Sequence, residues 1–280
     1  MCLLVLSGCR SGSDYIEPES RIIVSALGVD QYNEELLLTA EYVNINTTNN
    51  SDSYNIKIIT GQGENMFSAI GDLKNQIDGE LMLSQCPAII LGTSLDSENL
   101  KDIYSFLLTE ENISLGVRVV FCDFANQIIT ANSDNKPSGY QIMSLLRFTQ
   151  NSLGFTNGDS LVKILNSPSN ELYKIPFIEY ENTYKVSGCY YFINGEFGKL
   201  DILESQILYL LCEDLEPCEI YLNGKEMEFK KCKITEKDFL DIKVTLKNLS
   251  EKNELETEIV KMLNKFGFTK PIKLKIVGEV

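Results

Sequence analysis

The run Cys86-Pro-Ala-Ile-Ile-Leu91 constrains the fold more than any other stretch. It is apolar from Ala88 to Leu91 with no alternation, so a strand built from it must be buried on both faces. Its flanks say what buries it. Gly61-Gln-Gly63 opens a helix in which Met66, Ile70, Leu73 and Ile77 recur at helical spacing. Beyond Gly92, Asp96 or Ser97 caps a second helix, whose Leu100, Ile103 and Leu107 line one side. With strands at Tyr54–Thr60 and Leu115–Cys122, the order strand–helix–strand–helix–strand implies right-handed crossovers and a central sheet sandwiched by helices. Two glycines before a helix could admit a phosphate at its N-terminus. Without a third Gly or a Lys-Ser/Thr pair, a tight strand-to-helix turn is the better reading of Gly61 and Gly63.

Upstream, Ile22–Val29 reads as a strand, Asp30–Glu35 as a polar turn and Leu36–Val43 as a half-buried strand of a hairpin, with Leu36, Leu38, Ala40 and Tyr42 on one face. Downstream, helices are expected over Ala125–Ala131, Gly139–Leu153 and Asp159–Leu165, and Ser167–Leu172 reads as a domain junction. After Pro176 the pattern changes to hairpins. Val186–Ile193 and Glu196–Leu200 flank Asn194-Gly195, and Ile220–Leu222 and Lys225–Phe229 flank Asn223-Gly224, both strong two-residue turn signals. Asp201 and Glu204 form a capping-box-like start to a short helix. After a strand at Phe239–Leu246, Ser250 caps a long helix to Phe266 with Leu255, Ile259, Met262 and Phe266 as its buried stripe, and Gly267 ends it. The last strand, Ile272–Val277, carries Lys273 and Lys275 on one face, as suits a sheet edge. The fold class expected is therefore mixed, α+β with α/β character. Residues 21–170 form an N-terminal mixed sheet with flanking helices, and residues 171–280 a smaller hairpin-rich sheet domain with one long helix.

Composition excludes several functions. A net charge of −15 leaves no basic stripe for nucleic acid and disfavours anionic headgroups. The absence of histidine removes the usual general base and the commonest metal ligand. No catalytic, cofactor-binding or metal-ligating residue is assigned. Adjacent acids at Glu110-Glu111 and Glu213-Asp214 are the only candidates for carboxylate-dependent hydrolysis, and solvated turn charges explain them better. Six cysteines, Cys86, Cys122, Cys189, Cys212, Cys218 and Cys232, contain no Cys-x-x-Cys pair. They read mostly as buried free thiols, with Cys212–Cys218 the nearest candidates for a bridge.

The first nine residues bear on location. Leu6-Ser7-Gly8-Cys9 has the pattern of a bacterial lipobox, in which the Cys9 thiol receives a diacylglyceryl group after cleavage before it. Residues 10–20 then read as a tether. No Lys or Arg precedes Cys9, although a signal peptide has a basic n-region. Either the start codon lies upstream of Met1, or the start is that of an unprocessed protein.

Several segments in order resemble the Ger(x)C family, lipoprotein subunits of nutrient germinant receptors in bacterial endospores. These are Cys9, Ile22-Ile-Val-Ser-Ala-Leu-Gly-Val-Asp30, Gly61-Gln-Gly-Glu-Asn-Met-Phe-Ser-Ala-Ile70, Ala88-Ile-Ile-Leu-Gly92, Phe106-Leu-Leu-Thr-Glu-Glu-Asn-Ile113, Ile175-Pro176, Gly188-Cys-Tyr-Tyr-Phe192 and Glu204. The chain departs from the family at Ser84-Gln85, where many members carry a Gly-His-like pair, and after Lys233, where it looks shorter. The resemblance implies a non-catalytic subunit with no cofactor, anchored by lipid (palmitate) at Cys9 to the extracytoplasmic face of the spore inner membrane. It also implies partners: a membrane-spanning A-type subunit and a transporter-like B-type subunit. Direct germinant binding by this subunit stays open. The alternative from the residues themselves is a lipid-anchored extracytoplasmic solute-binding protein, whose pocket would draw on the 13 Tyr and 13 Phe.

Overall fold

The computed structural model describes residues 21–44, 55–109, 113–114, 116–132, 136–153, 173–193, 196–212, 218–222, 225–236, 240–246, 252–266 and 272–278. In chain order, β1 (Arg21–Tyr32) and β2 (Glu35–Asn44) form a hairpin and β3 (Asn55–Gly63) lies beside β2. Next come α1 (Met66–Lys74), the short β4 (Glu80–Met82), β5 (Ala88–Gly92), α2 (Ser97–Thr109) and β6 (Arg118–Cys122). Two helices follow, α3 (Ala125–Thr130) and α4 (Ser138–Leu153), and then β7 (Tyr173–Tyr180), β8 (Tyr184–Ile193) and β9 (Glu196–Asp201). The chain continues with α5 (Ile202–Cys212), β10 (Cys218–Leu222), β11 (Lys225–Glu236), β12 (Leu240–Leu246), α6 (Lys252–Lys265) and β13 (Ile272–Gly278).

The large sheet has nine strands in the order β3-β2-β1-β5-β6-β7-β8-β9, with β4 pairing along β1. Its centre, β1-β5-β6-β7, is parallel, and antiparallel ribbons extend it on both sides. The parallel centre follows from the helices that cross between successive strands. The run expected to be buried on both faces is so placed, for every residue of β5 is buried. Ile89 and Leu91 face one helical layer, and Ala88 and Ile90 the other.

Three expectations change. The strand before α1 is not next to β5 but lies at the sheet edge, two strands away, because β1 and β2 come between them. Gly61 and Gly63 do not form the turn before α1. They end β3, paired to Leu38 and Leu36, and a Cβ on Gly61 would come within 2.8 Å of the Leu73 backbone nitrogen. Glycine here lets a helix lie close on a strand. Strands β7 to β9, expected with the later hairpins, are hydrogen-bonded into the large sheet instead, with Phe121 of β6 opposite Phe177 of β7. The sheet thus runs past residue 171, where the sequence changes character.

The smaller sheet, β10-β11-β12-β13, has four strands, and the lysine-bearing β13 is at its edge as expected. Leu255, Ile259 and Met262 of α6 are buried with Val244 of β12 and Ile276 of β13, and they share one apolar cluster with Ile207 and Leu208 of α5. The start of α5 is the reciprocal cap read from the sequence: Glu204 N donates to Asp201 Oδ1 (2.8 Å) and Asp201 N to Glu204 Oε2 (3.2 Å). Lys265 adds a 2.9 Å ion pair from α6 to Glu204.

Candidate functional site

Cys9 lies outside the described residues, as do Glu110-Glu111, Glu213-Asp214, both Asn-Gly turns, the Ser167–Leu172 junction and the helix expected at Asp159–Leu165. The side chains of Cys212 and Cys218 are likewise outside them. What the structure does place is a polar layer under the β1–β2 hairpin, on the side where α3 and α4 pack.

The hairpin is tighter than the expected polar turn. It is a two-residue connection, Asn33-Glu34, with both φ values positive (52° and 68°), as a twist-matched turn requires. Asp30 therefore falls inside β1 rather than in a turn. It is fully buried, and its two oxygens accept the first amides of α3, Ala125 N on Oδ1 and Asn126 N on Oδ2, each at 2.8 Å. The carboxylate occupies the positive end of the helix and satisfies amides that have no partner within it. Burial raises its pKa to about 6, and the two amide donors pull the other way without cancelling it. Room for the carboxylate comes from Gly92 at the end of β5, where a Cβ would overlap Asp30 Oδ1. Nearby, Ser94 Oγ accepts Gln31 N (2.9 Å) and Asn126 Nδ2 donates to Thr39 Oγ1 (2.9 Å).

Glu41 repeats the device for α4. Its side chain is 1% exposed. Oε1 accepts the Ser138 hydroxyl (2.6 Å), Oε2 accepts the Ser138 amide (2.8 Å), and the Ser25 hydroxyl lies 2.5 Å from Oε2. The first turn of α4 is pressed so close to β1 that a Cβ on Gly139 would overlap the Ser25 carbonyl oxygen. β2 is thus buried on both faces rather than half-buried, since Thr39 and Glu41 are covered as fully as Leu38 and Ala40.

In open α/β sheets ligands favour the carboxyl ends of parallel strands where the strand order reverses. Here that point lies between β1 and β5, and it is filled by Asp30 bonded to the first amides of α3 and by Ser94 bonded to the Gln31 amide. Both acids serve as helix caps, so neither is poised for proton transfer to a substrate. Their partners stand about 95 residues away along the chain, so no local motif announced them. The sequence signal was an acid inside an apolar strand, which has to be paired.

Three thiols sit deep in the core. Cys86, Cys122 and Cys189 are buried and form no disulfide. Burial pushes the Cys86 thiol up to about 12, and burial with the Asp30 charge holds Cys122 well above the ordinary range, which makes both poor nucleophiles. Among the described residues no group of His, Cys, Asp and Glu could hold a metal ion. No described helix is long and apolar enough to cross a membrane.

Two concavities open on the surface beside α3 and α4. One, of about 280 Å³, lies between α3 and the end of β7 and is lined by Phe124, Ile128, Ile178 and Tyr180 with Asp123 and Glu181. The other, of about 640 Å³, lies along α4 and is lined by Lys136, Tyr140, Gln141, Leu145 and Phe148, among others.

The sequence model of a family described as the spore germination protein N-terminal domain matches residues 14–179. No curated protein matches the chain. The matched span includes β1, β5 and β6 of the parallel centre, both buried carboxylates and α1 to α4, and it stops within β7.

Proposed function

Because the chain belongs to the spore germination protein N-terminal domain family, we propose that it is a lipid-anchored, non-catalytic subunit of a nutrient germinant receptor. In this reading Cys9 carries the acyl chains, and A-type and B-type membrane subunits are the partners on the extracytoplasmic face of the spore inner membrane. The family match over residues 14–179 is the observation that carries the proposal. The lipobox pattern at Leu6-Ser7-Gly8-Cys9 supports the anchor. Two acyl chains bind a bilayer stably where one binds reversibly, at about 0.8 kcal/mol per buried methylene, so diacylation suffices for a body with an acidic surface. The use of Asp30 and Glu41 as helix caps supports a scaffolding role over catalysis.

The test is genetic. Deleting the gene, or substituting Cys9→Ala in the full-length precursor, should impair germination triggered by nutrients. The Cys9→Ala protein should also leave the membrane fraction. Normal germination in both strains would refute the proposal.

A further inference from the structure

Among the described residues, helix α4 presents three exposed large apolar side chains to solvent. Its buried side carries Ile142 and Leu146, while Tyr140 is 43%, Met143 41% and Phe148 78% exposed. Tyr140 and Phe148 are eight residues apart and Met143 and Arg147 four, so these side chains share one broad stripe. Lys136 and Arg147 are exposed beside it. The stripe borders the concavity of about 640 Å³.

Charge distinguishes this face further. Acids average one in seven residues over the chain (40 in 280), yet α4 contains none. From Phe124 to Leu153 the only acid is Asp134, against Lys136 and Arg147. On a body of net charge −15 this segment carries two cations against one acid, so an anionic layer does not repel it as it repels the chain's average surface. Aromatic rings with flanking Lys or Arg are the composition of segments that lie at a membrane interface, the rings at headgroup depth and the cations among phosphates.

The place where the chain enters the fold points the same way. Cys9 precedes Arg21 by twelve residues, which span at most roughly 40 Å. Arg21 begins β1, and Ser25, four positions on, has its carbonyl against Gly139 in the first turn of α4. A body tethered at its amino terminus therefore has α4 near the tether.

We propose that the exposed face of α4 rests on the bilayer surface, with Tyr140, Met143 and Phe148 at headgroup depth and Lys136 and Arg147 on lipid phosphates. The contact fixes the orientation of a body that a lipid tether alone would leave free to turn. It rests on the membrane anchoring proposed above, and the test supplies the anchor artificially so that the two proposals fail separately.

The chain contains no tryptophan, so a single introduced one is a clean reporter. The full chain with an amino-terminal oligohistidine tag would be tethered to phosphatidylcholine–phosphatidylglycerol vesicles containing a chelating lipid. Emission of Phe148→Trp should shift to the blue on tethering and be quenched by brominated lipid. Phe67→Trp, on α1 across the sheet and 69% exposed in the parent, should do neither. Adding Lys136→Glu and Arg147→Glu to Phe148→Trp should abolish the shift. An unshifted Phe148→Trp on vesicles that hold the protein, or equal quenching of both reporters, would overturn the proposal. So would a blue shift that grows with protein concentration without lipid, which would place a second copy on this face. Loss of membrane retention in Cys9→Ala spores together with an unquenched Phe148→Trp would keep the anchor and remove the orienting contact.

Discussion

The two faces of the large sheet are both covered by helices, α1 and α2 on one and α3, α4 and α5 on the other, but are held in different ways. On one face α1 and α2 pack through large apolar side chains, including Met66, Leu73, Phe106 and Leu107, against Leu27, Ile89 and Phe121. On the other, α3 and α4 meet smaller residues of the sheet, Ala26, Ala88 and Cys122, and their N-termini are fixed by Asp30 and Glu41. Apolar packing is tolerant of direction, since dispersion and burial depend on area and fit. A carboxylate bonded to the first groups of a helix, two amides for Asp30 and the Ser138 amide and hydroxyl for Glu41, fixes where the helix begins and how it points. The difference suits one face that supplies stability and another on which helix position matters.

The largest expected effect tests the apolar face. Phe121 is fully buried, and its ring stacks on Tyr190 with centroids 4.4 Å apart. Phe121→Ala should cost about 3–5 kcal/mol, the lost transfer energy plus an unfilled cavity, read from urea denaturation followed by circular dichroism. A loss under about 1 kcal/mol would mean that the apolar face is not the main source of stability.

The polar face should break almost as hard, but locally. Glu41→Ala leaves the Ser138 amide and hydroxyl without their carboxylate acceptor in a buried site, while the Ser25 hydroxyl keeps only the backbone carbonyl of residue 41. About 3 kcal/mol is expected, since an unsatisfied buried donor costs its full desolvation. Hydrogen exchange distinguishes this from general weakening. Protection should fall first in the early turns of α4, while α1 and α2 keep theirs. Uniform loss across both faces would erase the proposed division of roles.

Asp30 gives that face a pH signature of no more than about 3 kcal/mol, taking 1.36 kcal/mol per pKa unit for a rise from 3.8 to about 6. The folded state holds the proton more tightly than the unfolded one, so the added stability is complete below pH 4. It is lost as pH rises to 6 and is level above. Asp30→Asn should flatten the denaturation midpoint between pH 4 and 6 relative to the parent. An unchanged slope would assign the dependence to other groups.

The contrast between the faces also decides what could be read in advance. α1, α2 and α6 announce themselves because each buried stripe repeats every three or four residues within one element, as with Leu100, Ile103 and Leu107. The doubly buried β5 was legible for the same local reason. The caps of α3 and α4 were not. Asp30 looked like a turn residue because acids are rare in strands, and Glu41 sat on the side of β2 that alternation assigns to solvent. Only the distant arrival of Ala125 and Ser138 makes those positions interior. Edge position for β3 and the joining of β7 to β6 were hidden likewise, because strand order depends on which ribbon adds to which side.

The smallest expected effect has the opposite sign and probes whether the apolar face is already at its best. Gly71 lies in the middle of α1, and a Cβ built there meets nothing within 4 Å. The residue therefore serves no close approach, in contrast to Gly61 beneath the same helix. Glycine in a helix interior costs about 0.5–1 kcal/mol relative to alanine through the backbone entropy of the unfolded chain. Gly71→Ala should accordingly stabilise by about that amount, seen as a higher urea midpoint with an unchanged slope. The gain should persist in the Glu41→Ala background, because α1 and α4 lie on opposite faces and share no partner. If the two changes fail to add, the faces are coupled through the sheet, and the helices that cap on Asp30 and Glu41 respond to packing on the far side.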